Sequence, residues 1–243
     1  MRRIALTATA LLCFSQVATA VPNWSQISFA TTSSNAPQIL AAADAFMSSK
    51  VGKEFPGKLL LQANTADGAN PATHTFVPIY KSMADRDAFV EKLQGNPDWT
   101  AFQGVMEKTS QPAGTVLYSN LKSWGDINDT DHTWMAHAFS VNDPAAFVAA
   151  LDALLASETG KKFPGQVYLS AVVAGGVSPV THVISVGYAS ATEMADWIAV
   201  RNASADWAAY QAAANPASDF LGSSMAQDLK TWGPATLKDI VSP

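Results

Sequence analysis

Cysteine is almost missing from this chain. Its 243 residues contain one, Cys13, which lies in an N-terminal stretch expected to be removed, so neither a disulfide framework nor a thiol nucleophile is expected. Charge is scarce as well, at 14% of residues, which leaves few carboxylates for acid–base chemistry. Beyond the N-terminus no run approaches the roughly 18 apolar residues of a membrane-crossing helix, and no membrane span is expected. A glycine-rich phosphate loop, HExxH, CxxC and GxSxG are all absent. That counts against nucleotide enzymes, common zinc proteases, dithiol redox proteins and elbow-type serine hydrolases, and no cofactor or metal is expected. The acidic stretch "DINDTD" (126–131) has Thr130 where a calcium loop needs its fifth-position ligand and no glycine after it, so it reads as a solvated linker.

What is present begins with "MRRIALTATALLCFSQVATA": two arginines, an apolar run, then Ala18, Thr19 and Ala20. This is the build of a cleaved secretory signal, so residues 1–20 are expected to be removed and the mature chain to start at Val21 in the periplasm or outside the cell. Without Arg2 and Arg3 the 15 basic residues become 13 against 20 acidic ones, a net charge of -7 with neutral histidines. Nucleic acid is not expected as a partner for such a chain.

The mature sequence repeats itself. With an offset of 108 residues, positions 37–125 align with 145–233 without a gap, and 29 of the 89 pairs are identical. "KEFPG" returns as "KKFPG", Asp44 as Asp152, "TH" at 73 as "TH" at 181, "DW" at 98 as "DW" at 206, and "LKSWG" as "LKTWG". Such a pattern marks a duplication. Each copy opens with a short strand (24–30; 134–141) followed by an alanine-rich helix with apolar residues at helical spacing: Ile39, Ala43 and Phe46, or Phe147, Leu151 and Leu154. Asp143 and Pro144 suit the N-cap and first position of the second such helix. Gly52 and Gly160 stop the helices, and two extended runs with a Gly/Pro connection follow as a hairpin. A helix in two pieces (84–94 and 97–109 in the first copy) and a last strand complete the order β-α-β-β-α-β, the ferredoxin-like arrangement. The fold class is α+β, with repeats at 21–127 and 128–243.

The broken second helix, restarted by "NPDWTAF" and "ASADWAAY", resembles that of the dimeric α/β-barrel superfamily, which includes antibiotic-biosynthesis-type monooxygenases, stress-responsive barrel proteins and NIPSNAP-like proteins. The resemblance spans each repeat nearly end to end. It implies that two antiparallel sheets face each other as an α/β barrel and that one chain supplies both, making a monomer with an intramolecular barrel of internal pseudo-two-fold symmetry. Family members include cofactor-free oxygenases, isomerases, cyclases, haem enzymes and proteins without known activity, so the resemblance selects no reaction.

Strand alternation divides each sheet into an apolar face (Leu59, Leu61, Ala63; Val167, Leu169, Ala171) and a mixed one (Leu60, Gln62, Asn64; Tyr168, Ser170, Val172). With the apolar face under the helices, the mixed face turns inward, where Gln62 and Ser170 are candidates either to bind a ligand or to satisfy one another. His74 and His182, each after a threonine at a strand start, are candidates for proton transfer or for hydrogen bonds that fix the hairpins. His137, where the first copy has Ile27, is a further ligand-binding candidate. Trp99 and Trp207 either wall an aromatic ligand or seal the core. The leading expectation is a binder of a small apolar or aromatic molecule. The alternatives are a cofactor-independent monooxygenase or related barrel enzyme, and a structural or interaction protein.

Overall fold

The computed structural model describes residues 20–241. The signal expected at 1–20, with Cys13, Arg2 and Arg3, lies outside the described residues except for Ala20. Strand β1 (Asn23–Thr31) leads into helix α1 (Ala36–Ser48), a 3-10 turn at Gly52–Glu54, and strands β2 (Lys58–Ala66) and β3 (His74–Tyr80). Helices α2 (Met83–Leu93) and α3 (Pro97–Thr109) then precede the long β4 (Ser110–Gly125). The same order follows as β5 (Thr133–Val141), α4 (Pro144–Ala156), a 3-10 turn at Gly160–Lys162, β6 (Gln166–Ala174), β7 (His182–Tyr188), α5 (Ala191–Asn202), α6 (Ala205–Ala214) and β8 (Ser218–Trp232). A short helix α7 (Leu237–Val241), which the sequence reading lacked, ends the described chain. None of the described helices is long and apolar enough to cross a membrane.

All eight strands join one antiparallel sheet that closes on itself in the order β1-β3-β2-β8-β5-β7-β6-β4. The barrel expected within one chain is present, and the facing sheets of its two halves are joined edge to edge into one closed sheet. The outer strands of each half, β2 and β4 or β6 and β8, would otherwise expose unpaired backbone groups; β2 pairs with β8 and β4 with β6, so no edge remains.

The helices cover the outside of the barrel. Their apolar stripes bury Ile39, Ala43 and Phe46 on α1, and Phe147, Leu151 and Leu154 on α4. These pack on the outward strand residues, with Leu61 and Phe76 beneath α1 and Leu169 and Ile184 beneath α4. The caps follow local chemistry. Asp143 Oδ1 accepts from Ala146 N at 3.0 Å, and Asn96 caps α3 by accepting from the backbone of Asp98 and Trp99. The repeated motif after α1 and α4 has a steric cause. A Cβ on Gly52 would lie 2.1 Å from the Phe46 carbonyl oxygen, and one on Gly160 2.0 Å from that of Leu154.

The linker at 126–131 is not simply solvated, which corrects that expectation. Asp131 is buried and accepts from Gln166 Nε2 at 2.9 Å. Asp129 receives Lys58 at 2.5 Å and the backbone N–H of Leu237 at 3.1 Å, which pins α7. A linker that must cross one end of a closed barrel gives its carboxylates partners there, which composition alone does not reveal.

Candidate functional site

Two compartments could hold a small molecule. The first is the barrel interior, about 110 Å³, lined by the mixed strand face. Its polar groups mostly satisfy one another across the halves. Trp24 donates its indole N–H to Ser170 Oγ at 3.0 Å and stacks on Tyr118 at 4.1 Å. At the matching place Trp134 donates to Asp228 Oδ2 at 3.1 Å, while Gln62 Nε2 donates to Asp228 Oδ1 at 2.8 Å. Burial pushes the Asp228 carboxyl up, and the bonds from Gln62 and Trp134 partly offset that shift. Gln62 and Ser170 are thus engaged by protein partners. Asn23, buried with neither amide atom partnered, also lines this space. The volume suits a few waters or a very small ligand.

The second compartment, about 440 Å³, lies outside the barrel between the sheet and helices α4, α5 and α6. Its origin is visible by comparing positions 108 apart. In the first half the matching space is filled by large rings. Phe102 lies between Phe46, Phe76 and Trp99, with centroids 5.7, 5.8 and 5.4 Å away, and Met106 packs beside them. In the second half Phe46 becomes Leu154, Phe76 becomes Ile184 and Met106 becomes Ala214, all lining the cleft. Replacing large side chains by small ones without collapse of the frame leaves a cavity.

Polar groups enter at the same place. His137 stands where the first half has Ile27, Arg201 where it has Leu93, and Tyr210 where it has Phe102. His137 Nδ1 pairs with Ser223 Oγ at 2.6 Å, and the ring is pushed down to about 4, first by burial and then by the positive Arg201. It is therefore neutral near pH 7. The Arg201 guanidinium lies over the Trp207 indole, 4.1 Å from the ring centroid, and Trp207 stacks on Tyr210 at 4.9 Å. Burial pushes the Tyr210 phenol up to about 12, so it stays a donor. Phe220, 61% exposed, borders the opening.

The structure distributes the sequence candidates unevenly. His137 and Trp207 meet in the cleft. Trp99 is packed in the first-half core, 5.3 Å from Phe46. His74 and His182 sit at equivalent strand starts on the outward face, each with Nδ1 2.9 Å from the hydroxyl of its preceding threonine. Neither lines either compartment, and burial lowers both below the ordinary histidine value. Thr73 Oγ1 in turn accepts from Thr31 N and Thr181 Oγ1 from Val141 N, which ties each hairpin to the first strand of its half. The sequence reading missed Arg201, Tyr210, Ile184 and Ala214. The signal was available in the positions where the two copies disagree.

No protein-family model matches the sequence, and no curated protein matches it. Solved structures do. A "putative monooxygenase" from Lactobacillus acidophilus NCFM superposes with a TM-score of 0.64 over 89% of this chain and 97% of its own, at 10% identity. A second "putative monooxygenase", from Fusobacterium nucleatum subsp. nucleatum ATCC 25586, gives 0.59 over 89% and 96%, at 14% identity. An anthrone oxidase-like protein gives 0.54 over 88% and 93%, at 11% identity. At these identities the likeness is one of fold: the chain has the dimeric α/β-barrel fold.

Proposed function

We propose that this protein is an exported, monomeric binder of a small, mainly apolar or aromatic molecule, held in the cleft between the second-half sheet and α4, α5 and α6. In this reading residues 1–20 are removed on export, and the ferredoxin-like repeats 21–127 and 128–243 stand in for the two subunits of a dimeric barrel. The observation that carries it is the asymmetry of the halves: where one fills its helix–sheet space with Phe46, Phe76, Phe102 and Met106, the other has Leu154, Ile184, Tyr210 and Ala214 around about 440 Å³. That volume falls within the roughly 300–1,000 Å³ of small-molecule sites, and an apolar wall with a few polar groups is their usual lining.

The test restores the first-half residues. Titration of the protein with 2-naphthalenemethanol, followed by calorimetry, is expected to give one saturable site that Ala214→Met and Ile184→Phe abolish without loss of folding. Unchanged binding in both variants would place the site elsewhere. For export, intact-mass analysis of the secreted protein is expected to find a chain starting at Val21; retention of Met1 would refute it.

An enzymatic reading of the same cleft has one observation in its favour, the neutral His137 hydrogen-bonded to Ser223 at its wall. It replaces His74 and His182 as the candidate for proton transfer, since neither of those lines the cleft. Its test is oxygen uptake with a dihydroxynaphthalene, lost in His137→Ile; no uptake would leave binding alone.

A further inference from the structure

Three positions around the second-half cleft are apolar in the first half and carry hydrogen-bonding side chains here: Ile27 against His137, Leu93 against Arg201, and Phe102 against Tyr210. Arg201 is the least expected of them. Leu93 packs in the first-half core, whereas Arg201 brings a full charge to the wall of a cleft floored by Leu154, Ile184 and Trp197. A cation moved out of water into such surroundings is disfavoured unless an anion or hydrogen-bond acceptors compensate it.

The protein supplies little compensation. Arg201 Nε and Nη2 donate to the side chain of the adjacent Asn202, at 3.2 and 3.1 Å, and its plane rests on Trp207. Among the described residues it forms no ion pair. Of the three acids on α5 and α6, Glu193 in the first turn of α5 accepts from Ala189 N at 2.8 Å and Asp206 from Thr159 N at 3.1 Å, and neither these nor Asp196 forms an ion pair with Arg201. The Tyr210 hydroxyl, on a side chain only 8% exposed, has no hydrogen-bond partner among the described residues, and His137 engages only Nδ1. The cleft therefore offers a guanidinium and a phenolic O–H without a matching carboxylate, around an apolar space wide enough for fused rings.

We propose that the ligand of this cleft is an amphipathic anion, an aromatic or fused-ring body bearing one carboxylate, with Arg201 as its charge partner and Tyr210 as a second donor. The ring body lies against Ile184, Leu154 and Ala214, and Trp207 orients the guanidinium by holding its flat face. This specificity rests on the binding reading above and narrows it to a charge class.

The experiment compares two probes of one shape, 2-naphthoate and neutral 2-naphthalenemethanol, by calorimetric titration of the full mature chain. Wild type is expected to bind the carboxylate about tenfold or more tightly than the alcohol, the usual scale of a charge-assisted hydrogen bond. Arg201→Leu, which installs the first-half residue, is expected to erase that preference by weakening the carboxylate about tenfold more than the alcohol. Arg201→Gln serves as a second variant should the leucine form fail to fold. Tyr210→Phe is expected to weaken the carboxylate more than the alcohol, by a smaller factor than Arg201→Leu. Equal affinities for both probes in wild type, or a carboxylate preference that survives Arg201→Leu and Arg201→Gln, would overturn the anion assignment while the cleft stands as a site. Failure of both probes to bind, or binding indifferent to Ala214→Met, would remove the cleft reading and this inference with it.

Discussion

Trp232, near the end of β8, donates its indole N–H to Asp44 Oδ1 on α1 of the other half at 2.8 Å. Trp124, at the end of β4, does the same to Asp152 on α4, also at 2.8 Å. Lys230 and Lys122 flank the same two carboxylates at 3.2 and 2.7 Å. Asp44, Asp152, "LKSWG" and "LKTWG" are landmarks of the internal repeat, and they belong to one device used twice. Each latch ties a strand of one half to a helix of the other, so the halves hold each other's helices in place as well as sharing a sheet.

Removing the donor while keeping a ring isolates the latch. Trp124→Phe and Trp232→Phe are each expected to lower the unfolding free energy by about 1 kcal/mol, the net worth of a hydrogen bond of this kind. The latches lie on separate helices without shared partners, so the double variant should lose nearly the sum. Urea unfolding followed by circular dichroism checks both statements. An unchanged midpoint in either single variant would mean that the bond is replaced by water at no cost.

Much of the fold was legible because hydrophobic periodicity and the 108-residue offset report on backbone order. Ile39, Ala43 and Phe46 fall at helical spacing, and Leu61 alternates with Gln62; both patterns sort into outer and inner layers in the structure as expected. The barrel itself was implied by the resemblance, but the pairs that close it, β2 with β8 and β4 with β6, were not legible, since they are made by backbone groups that every residue carries. Helix α7 is too short for periodicity to report. The site was half legible. Attention to residues kept in both copies led to His74 and His182, which fix hairpins, and to Trp99, which fills a core. The cleft is made by what changed, above all Met106 to Ala214 and Leu93 to Arg201, because a duplicated frame keeps its structural residues in both copies and can open a cavity in one.

The joined edges predict how separated halves behave. Residues 21–127 alone would expose β2 and β4, and residues 128–243 would expose β6 and β8, each with unpaired N–H and C=O groups. Either half expressed alone is expected to self-associate or precipitate, whereas residues 21–243 together are expected to be monomeric by light scattering. Two well-behaved monomeric halves would contradict the shared-barrel account.

The threonine–histidine pairs at the hairpins are expected to matter for stability and not for binding. His74 stacks on Phe29 with centroids 5.7 Å apart and bonds Thr73, and His182 bonds Thr181 in the same way. His74→Ala and His182→Ala should each lower stability by about 1 kcal/mol. The affinity for 2-naphthalenemethanol should be unchanged in the folded fraction. A large loss of affinity in His182→Ala with normal unfolding would return that residue to the site.

His137 makes a prediction about pH whose sign follows from its environment. Its folded value, pushed down to about 4, lies below the 6.5 of an unperturbed ring. Between those values the unfolded chain binds a proton that the native chain refuses, so stability is full at neutral pH and falls as the pH drops from about 6.5 toward 4. Burial acts in the same direction on His74 and His182. On Asp131 and Asp228 it acts oppositely, since their raised carboxyls favour the native state as the pH falls. The whole-protein profile therefore mixes signs, and the diagnostic is the difference between wild type and His137→Ile, which carries the residue found at the matching place in the first half. That difference is expected to be constant above about pH 7 and to move in the variant's favour as the pH falls to about 5, read from urea midpoints at each pH. Because Arg201 contributes to the shift, Arg201→Leu should reduce the slope as well. Parallel profiles for wild type and His137→Ile would mean that water reaches the ring freely in the native state, and the cleft would then be an open groove rather than a desolvated pocket.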